Sequence, residues 1–420
     1  MQGNLQKSNP TRIPKRVSDL DYRVILLLFT SISLLLLYFS SSATTATASA
    51  AAAAFSAVFR PDSPRSTRRR TELTESRIAV CLVGGARRFE LTGPSIINRI
   101  LNEFPNSDLF LNSPLDANSF KLSLLNSVGR VGSVRVFKPE VIPEVESQQR
   151  VLTAANSPNG IQGLLQYFNL VEGCLTLIED YQKEKGFTYD WIVRTRVDGY
   201  WSAPLSPSSF VPGKYVVPPG STYGGLNDRL GVGDYNTSKI ALARLSLIPD
   251  LDKLNYTGLN SETSFKAQLT AHNISYQETP LQPFCIVSDR RYAFPPVGYG
   301  VVVASLSSNG PLNGAKCRPC KPVCVGNCVA NVMDGVSKGW SWTPWRNGSL
   351  ELCDASGEWE LGWEDVFDEA VGDGPARLRK KVGSLSVEQC VKDFEVMKGR
   401  AANWDSPPLE EICKLGLDPK

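Results

Sequence analysis

Histidine is almost missing from this chain: His272 is the single one in 420 residues. One imidazole excludes any multi-histidine metal centre built within one chain. A Ser-His-Asp hydrolase would have to use His272, yet that residue lies in a helix-like polar segment with no nucleophile-elbow motif nearby. It reads as a surface or packing residue. An excess of one charge is missing as well. The 45 Lys and Arg nearly balance the 42 Asp and Glu, and a net charge of +3 argues neither for nor against nucleic acid. No internal repeat is present.

Long apolar runs are scarce too, with one exception. Val24–Phe39 reads VILLLFTSISLLLLYF, and no charged residue follows until Arg60. Extended through Ala43, it reaches the length of about 20 residues that a spanning helix needs. Lys7, Arg12, Lys15, Arg16 and Arg23 precede it, so the positive-inside rule sets residues 1–23 as a cytosolic tail and 24–43 as a signal anchor. A cleaved signal peptide is the alternative, with Ala48–Ser49–Ala50 as a small-x-small site; the long basic leader favours the anchor. Residues 44–76 are rich in Ala, Ser and Thr and then basic, the composition of a flexible stem. Tail, anchor, stem and a large lumenal body form the layout of a Golgi-resident type II protein. That topology argues against a nucleic-acid partner. Sequons at Asn236, Asn255, Asn273 and Asn347 agree with it.

Cysteine is not scarce. Of ten, seven (Cys317, Cys320, Cys324, Cys328, Cys353, Cys390, Cys413) fall in the last quarter. Their spacing would suit zinc in the cytosol, whereas an oxidising lumen favours disulfides. Seven is odd, so either Cys285 joins the cluster or one thiol stays free. Cys81, in an apolar strand, and Cys174, in a helix, are expected as buried thiols. Trp340, Trp342, Trp345, Trp359 and Trp363 give this region either a sugar-stacking face or the core of a small cap.

Between stem and cysteines, residues 77–304 alternate strand and helix signals. Arg77–Val83 is a continuous apolar run closed by Gly84–Gly85, the pattern of a fully buried strand. Pro94–Phe104 has helical spacing, Asp108–Leu111 and Val131–Phe137 read as strands, and Ile161–Lys185 is a long amphipathic helix ending at Gly186. It leads into the strand Trp191–Val197. The alternation predicts an α/β domain with a Rossmann-like, mainly parallel sheet, and residues 305–420 as a disulfide-bonded C-terminal subdomain.

Two strand ends stand out. Gly84–Phe89 (GGARRF) falls short of the full dinucleotide fingerprint, but its glycines admit close backbone approach and its arginines suit phosphates. Arg194, Arg196 and Asp198 end the other strand, as a surface ion pair or as part of a ligand crevice. Asn227–Asp234 (NDRLGVGD) reads as a loop leaving a strand. Ser261 or Asn260 caps a helix with Glu262 in its first turn, where a glutamate is ordinarily a dipole partner.

The order of strand–GGARRF, helix, strand, long helix, WIVRTRVDGYW, strand, LNDRLGVGD and SETSFKAQL resembles the GT-A-type, nucleotide-sugar-dependent glycosyltransferases over roughly Arg77 to Pro296. More closely, it resembles a group of plant type II membrane proteins known only as a domain of unknown function. The resemblance implies a nucleotide-sugar donor, a glycan or glycoprotein acceptor, and a donor site of Gly84, Arg87, Arg88, Arg194, Arg196 and Asp198. Asp198 matches the last acid of the metal-binding motif and would hold manganese or magnesium. Glu262 would be the general base, and Asp228 would shape the sugar-side loop. The chain departs from that pattern at Arg196, which stands where the first acid is expected and can supply positive charge itself. A silent nucleotide-sugar binder, and an interaction protein centred on Cys317–Cys413, are the other readings.

Overall fold

The computed structural model describes residues 64–155, 157, 159–280, 282–337 and 349–417. The expected anchor at 24–43, the tail, the stem up to residue 63 and the sequon at Asn347 lie outside these. Among the described residues no helix is long and apolar enough to cross a membrane.

Ser66–Lys420 forms one compact unit. Its centre is an eight-stranded sheet in the order β12-β3-β2-β1-β4-β7-β6-β8. The strands are β1 (Ile78–Val83), β2 (Ser107–Pro114), β3 (Val131–Phe137), β4 (Trp191–Arg196), β6 (Lys214–Val217), β7 (Leu230–Asp234), β8 (Ser275–Glu278) and β12 (Ala401–Asp405). From β12 to β4 all pairs are parallel; β7 runs antiparallel to β4 and β6. The expected α/β class with a mainly parallel sheet is the one found.

Every residue of β1 (IAVCLV) is buried, because the sheet is covered on both faces. Ile78, Val80 and Leu82 point into one core layer, and Ala79, Cys81 and Val83 into the other, as the period of two requires. The second layer is closed by the long helix Gly160–Lys185, which ends at Gly186 with φ 68°, a left-handed C-cap. Cys81 and Cys174 are not free thiols: they form a disulfide joining β1 to that helix.

A second sheet, β10-β11-β9-β5, comprises β5 (Gly199–Trp201), β9 (Phe284–Val287), β10 (Val303–Ser305) and β11 (Lys316–Arg318). It crosses the boundary expected at 304/305. Further on, β12 extends the main sheet, and Phe394, Met397 and Ile412 pack into the same core as β1. Residues 305–420 are therefore woven into the α/β unit rather than set apart from it. Disulfides Cys285–Cys317, Cys320–Cys353, Cys324–Cys328 and Cys390–Cys413 complete the pairing, and no cysteine is free.

Two other expectations change. Pro64–Glu75, at the end of the presumed stem, is a helix, and its Leu73 is buried in the main core. Within the presumed loop 227–234, residues Leu230–Asp234 are a central strand. Gly231 and Gly233 there mark close packing instead of a turn: a Cβ on Gly231 would lie 1.9 Å from the Tyr215 hydroxyl.

Candidate functional site

The order in which strands join the sheet reverses between the parallel neighbours β1 and β4. From β1 the chain moves outward to β2 and β3, then returns through the long helix to β4 on the other side. In open α/β sheets, ligands bind at such a switch point, outside the carboxyl ends of the strands. Val83 pairs with Arg196 in register, so the turn after β1 and the end of β4 lie side by side there. Gly84 has φ 123°, and a Cβ would fall 2.9 Å from Val197 Cγ2. Only glycine lets these two loops meet so closely.

Arg196 and Asp198 form a bidentate pair, with Nε to Oδ1 and Nη2 to Oδ2 both at 2.7 Å. Burial alone would raise the Asp198 carboxyl. The Arg196 guanidinium more than reverses this, and with Lys316 and Arg87 it holds the group at about 2. Lys316 arrives through the second sheet: Gly199 pairs with Ile286, and Ile286 with Lys316. Burial, with Arg229 and Arg196 nearby, pushes the Lys316 ammonium well down. Arg87 is exposed at the rim.

Behind this mouth lies a buried polar hub. Asp228 Oδ2 accepts from the Tyr167 hydroxyl at 2.9 Å and from Ser261 Oγ at 2.9 Å, and faces Arg244 at 3.4 Å. Arg194 donates to the same Tyr167 hydroxyl at 2.5 Å. A cavity of about 10 Å³ beside Arg194, Asp228 and Arg244 has room for roughly one water. Despite burial, Arg244 and Arg194 keep the Asp228 carboxyl below its ordinary value.

Glu262 sits above the hub in the first turn of the helix Ser261–Ala271. Asn260 caps that helix: its side chain accepts from Thr263 N at 2.8 Å, and Thr263 Oγ1 accepts from Asn260 N at 2.8 Å. Burial, then the charge of Asp228, raises the Glu262 carboxyl to about 8. The adjoining loop holds Ser221 at φ 48° and Tyr223 at φ 44°. Left-handed non-glycine residues are costly and concentrate at functional sites.

A family model described as a domain of unknown function, DUF7796, matches residues 73–419. The chain belongs to the DUF7796 family. No curated protein matches it. Among solved structures, mouse xyloside xylosyltransferase 1 in its apo form is similar over 49% of this chain and 85% of its own, at 13% identity and a TM-score of 0.31.

In this DUF7796 chain, Gly84, Arg87, Arg196 and Asp198 lie around the carboxyl edge of β1 and β4, and Glu262 adjoins Asp228 and Arg229. Three other candidates take different places. Arg88 turns away from the crevice: its Nε binds Asp289 at 2.8 Å, and its guanidinium lies over Trp359 at 4.1 Å and Trp363 at 5.1 Å. Arg194 is 3% exposed and serves the hub. Asp228 is a positioning residue there, its Oδ2 filled by Tyr167, Ser261 and Arg244. Trp340, Trp342 and Trp345 lie outside the described residues; Trp359 and Trp363 pack edge to face, partly buried against the core of the second sheet, which for these two is the cap-like role.

The metal expected on Asp198 does not fit the residues present. Both of its carboxylate oxygens are taken by Arg196, and the other groups acting on it, Lys316 and Arg87, are cations. Among the described residues no group of three or more His, Cys, Asp or Glu is placed to hold a metal. Sequence reasoning missed Lys316, Arg229, Arg244 and Tyr167. Arg229 adjoins the Asp228 that drew attention; the others carry no local motif.

Proposed function

We propose that this chain is a type II Golgi membrane glycosyltransferase that moves a sugar from a nucleotide-sugar donor to a glycan or glycoprotein acceptor. One observation carries the reading: Arg87, Arg196 and Lys316 gather around Asp198 at the switch point, and beside the adjoining Asp228 stands a half-buried glutamate, Glu262, whose carboxyl is raised to about 8. Phosphate charge suits the former, and proton removal suits the latter. Glu262 takes the acceptor hydroxyl's proton, and the freed oxygen attacks the anomeric carbon. The bond from that carbon to the diphosphate breaks on the opposite side, with inversion. Arg87, Arg196 and Lys316 match the charge left on the departing diphosphate. Full pairing of the cysteines suits an oxidising lumen, and Asn236, Asn255 and Asn273 are exposed.

The test is to present the purified full-length protein with a panel of sugar nucleotides and glycan acceptors, reading release of nucleoside diphosphate. Release that depends on one donor supports the reading. A second reading, a silent nucleotide-sugar binder, is favoured by Arg196 in the place of a metal-binding acid; it expects donor binding with no release. Absence of both binding and release would sink the two together.

A further inference from the structure

The cations at the switch point outnumber the acids beside them. Arg87, Arg196 and Lys316 act on one carboxylate, Asp198, and Arg229 adjoins Lys316. Arg196 is held by that carboxylate, and Arg229 Nη1 is held by Ser221 Oγ at 2.8 Å and by the Gly314 carbonyl. Among the described residues, the side chains of Lys316 and Arg87 make no hydrogen bond or ion pair, so two cations remain uncommitted.

Lys316 is the more informative of the two because it is half-buried. A partly desolvated ammonium beside arginines is unfavourable unless an anion joins it. Its place is fixed by register: Lys316, Ile286 and Gly199 lie in one row across three strands, and Gly199 directly follows Asp198. Side chains in such a row share a face. The Val287 amide also donates to the Asp198 carbonyl at 2.9 Å, tying the two sheets together there. Together these place Lys316 on the sheet that leads from the Arg196–Asp198 pair, whose two carboxylate oxygens each already accept from Arg196.

We propose that this crevice binds a nucleoside diphosphate without a divalent cation, its charge matched by Lys316, Arg87 and the outer face of Arg196. This rests on the nucleotide-sugar reading given above. Lys316 and Arg87 here do the charge-matching that a bound metal would otherwise supply.

The experiment titrates the full-length protein calorimetrically with UDP, GDP and inorganic pyrophosphate, in EDTA and again in excess manganese. The expected result is binding whose Kd changes less than about threefold between the two conditions. Lys316→Met should weaken it about tenfold or more, the loss expected for a charge-assisted contact, and Lys316→Arg should restore most of it. Circular dichroism checks that each variant is folded. Binding that requires manganese, or that ignores Lys316→Met, overturns the metal-free site while leaving the nucleotide-sugar reading standing. No binding of any probe in either condition overturns both.

Discussion

Arg196 closes both oxygens of Asp198 in a planar fork at 2.7 Å, two residues apart in sequence at the mouth of the crevice. The pair shields a buried carboxylate and also holds a guanidinium in one orientation.

Removing the cation leaves the carboxylate buried and unpaired. Arg196→Met should therefore destabilise the protein by about 2 kcal/mol at neutral pH, less than a fully buried pair because Arg196 is partly exposed. The sign of the pH dependence follows from the depressed Asp198 value of about 2. The stabilisation is fully present above the unfolded value near 4 and is lost as pH falls through the folded one. Urea unfolding of parent and variant should show a gap that narrows below about pH 4. A gap that stays constant down to pH 2 would remove the pair from the stability account.

Glu262 behaves in the opposite sense. Its carboxyl is raised to about 8 by burial and by Asp228, so as a base it works only when ionised. Transfer should climb with pH and level off above about 8, and Glu262→Gln should lower turnover roughly a hundredfold with donor binding kept. Ionising this buried carboxyl costs stability as pH rises from the unfolded value toward the folded one. Glu262→Gln should thus melt higher than the parent at about pH 9 and converge with it near pH 5. A flat pH–rate profile would remove Glu262 from the chemistry.

The buried hub should respond as a unit. Asp228→Asn leaves Arg244, 2% exposed at its side chain, without its counter-charge. A loss of about 3 kcal/mol is expected. Tyr167→Phe removes the hydroxyl shared by Asp228 and Arg194 and should cost about 1–2 kcal/mol. Because the two changes share partners, the double variant should lose less than the sum. Additive losses in a denaturation series would show that the hub is not coupled.

What the sequence made legible was local. Arg77–Val83, Val131–Phe137 and Ile161–Lys185 were readable because apolar runs and helical spacing carry their own period. Gly231 and Gly233 misled because glycine signals a turn more often than a close approach, and nothing nearby in sequence announces Tyr215 as the neighbour. The Arg196–Asp198 strand end and Glu262 could be found by residue type. Lys316 could not: it reaches the site through β11, β9 and β5, by the pairings of Lys316 with Ile286 and of Ile286 with Gly199, which no local motif announces. The same holds for the Cys81–Cys174 bridge, whose sequence separation is 93. It also holds for Arg88, whose partners Asp289, Trp359 and Trp363 come from the C-terminal half.

Gly225 offers the sharpest test of how Glu262 is positioned. A Cβ there would lie 2.0 Å from the Glu262 carbonyl oxygen and 2.4 Å from the Thr263 amide nitrogen. The neighbours are backbone atoms, so no side chain can swing aside. Leu226 N also donates to the Glu262 carbonyl at 3.2 Å, so the loop and the first helical turn would have to part. Gly225→Ala should displace Glu262 without touching a charged group of the crevice. Stability should fall by about 1–3 kcal/mol. Displacing a catalytic group by about 1 Å can lower turnover by as much as a hundredfold. Nucleoside diphosphate affinity should stay near the parent's, because Arg87, Arg196 and Lys316 stand on other elements. A variant that loses donor affinity and turnover in equal measure would show that the Glu262 turn and the cation-rich crevice are one site and not two adjoining ones.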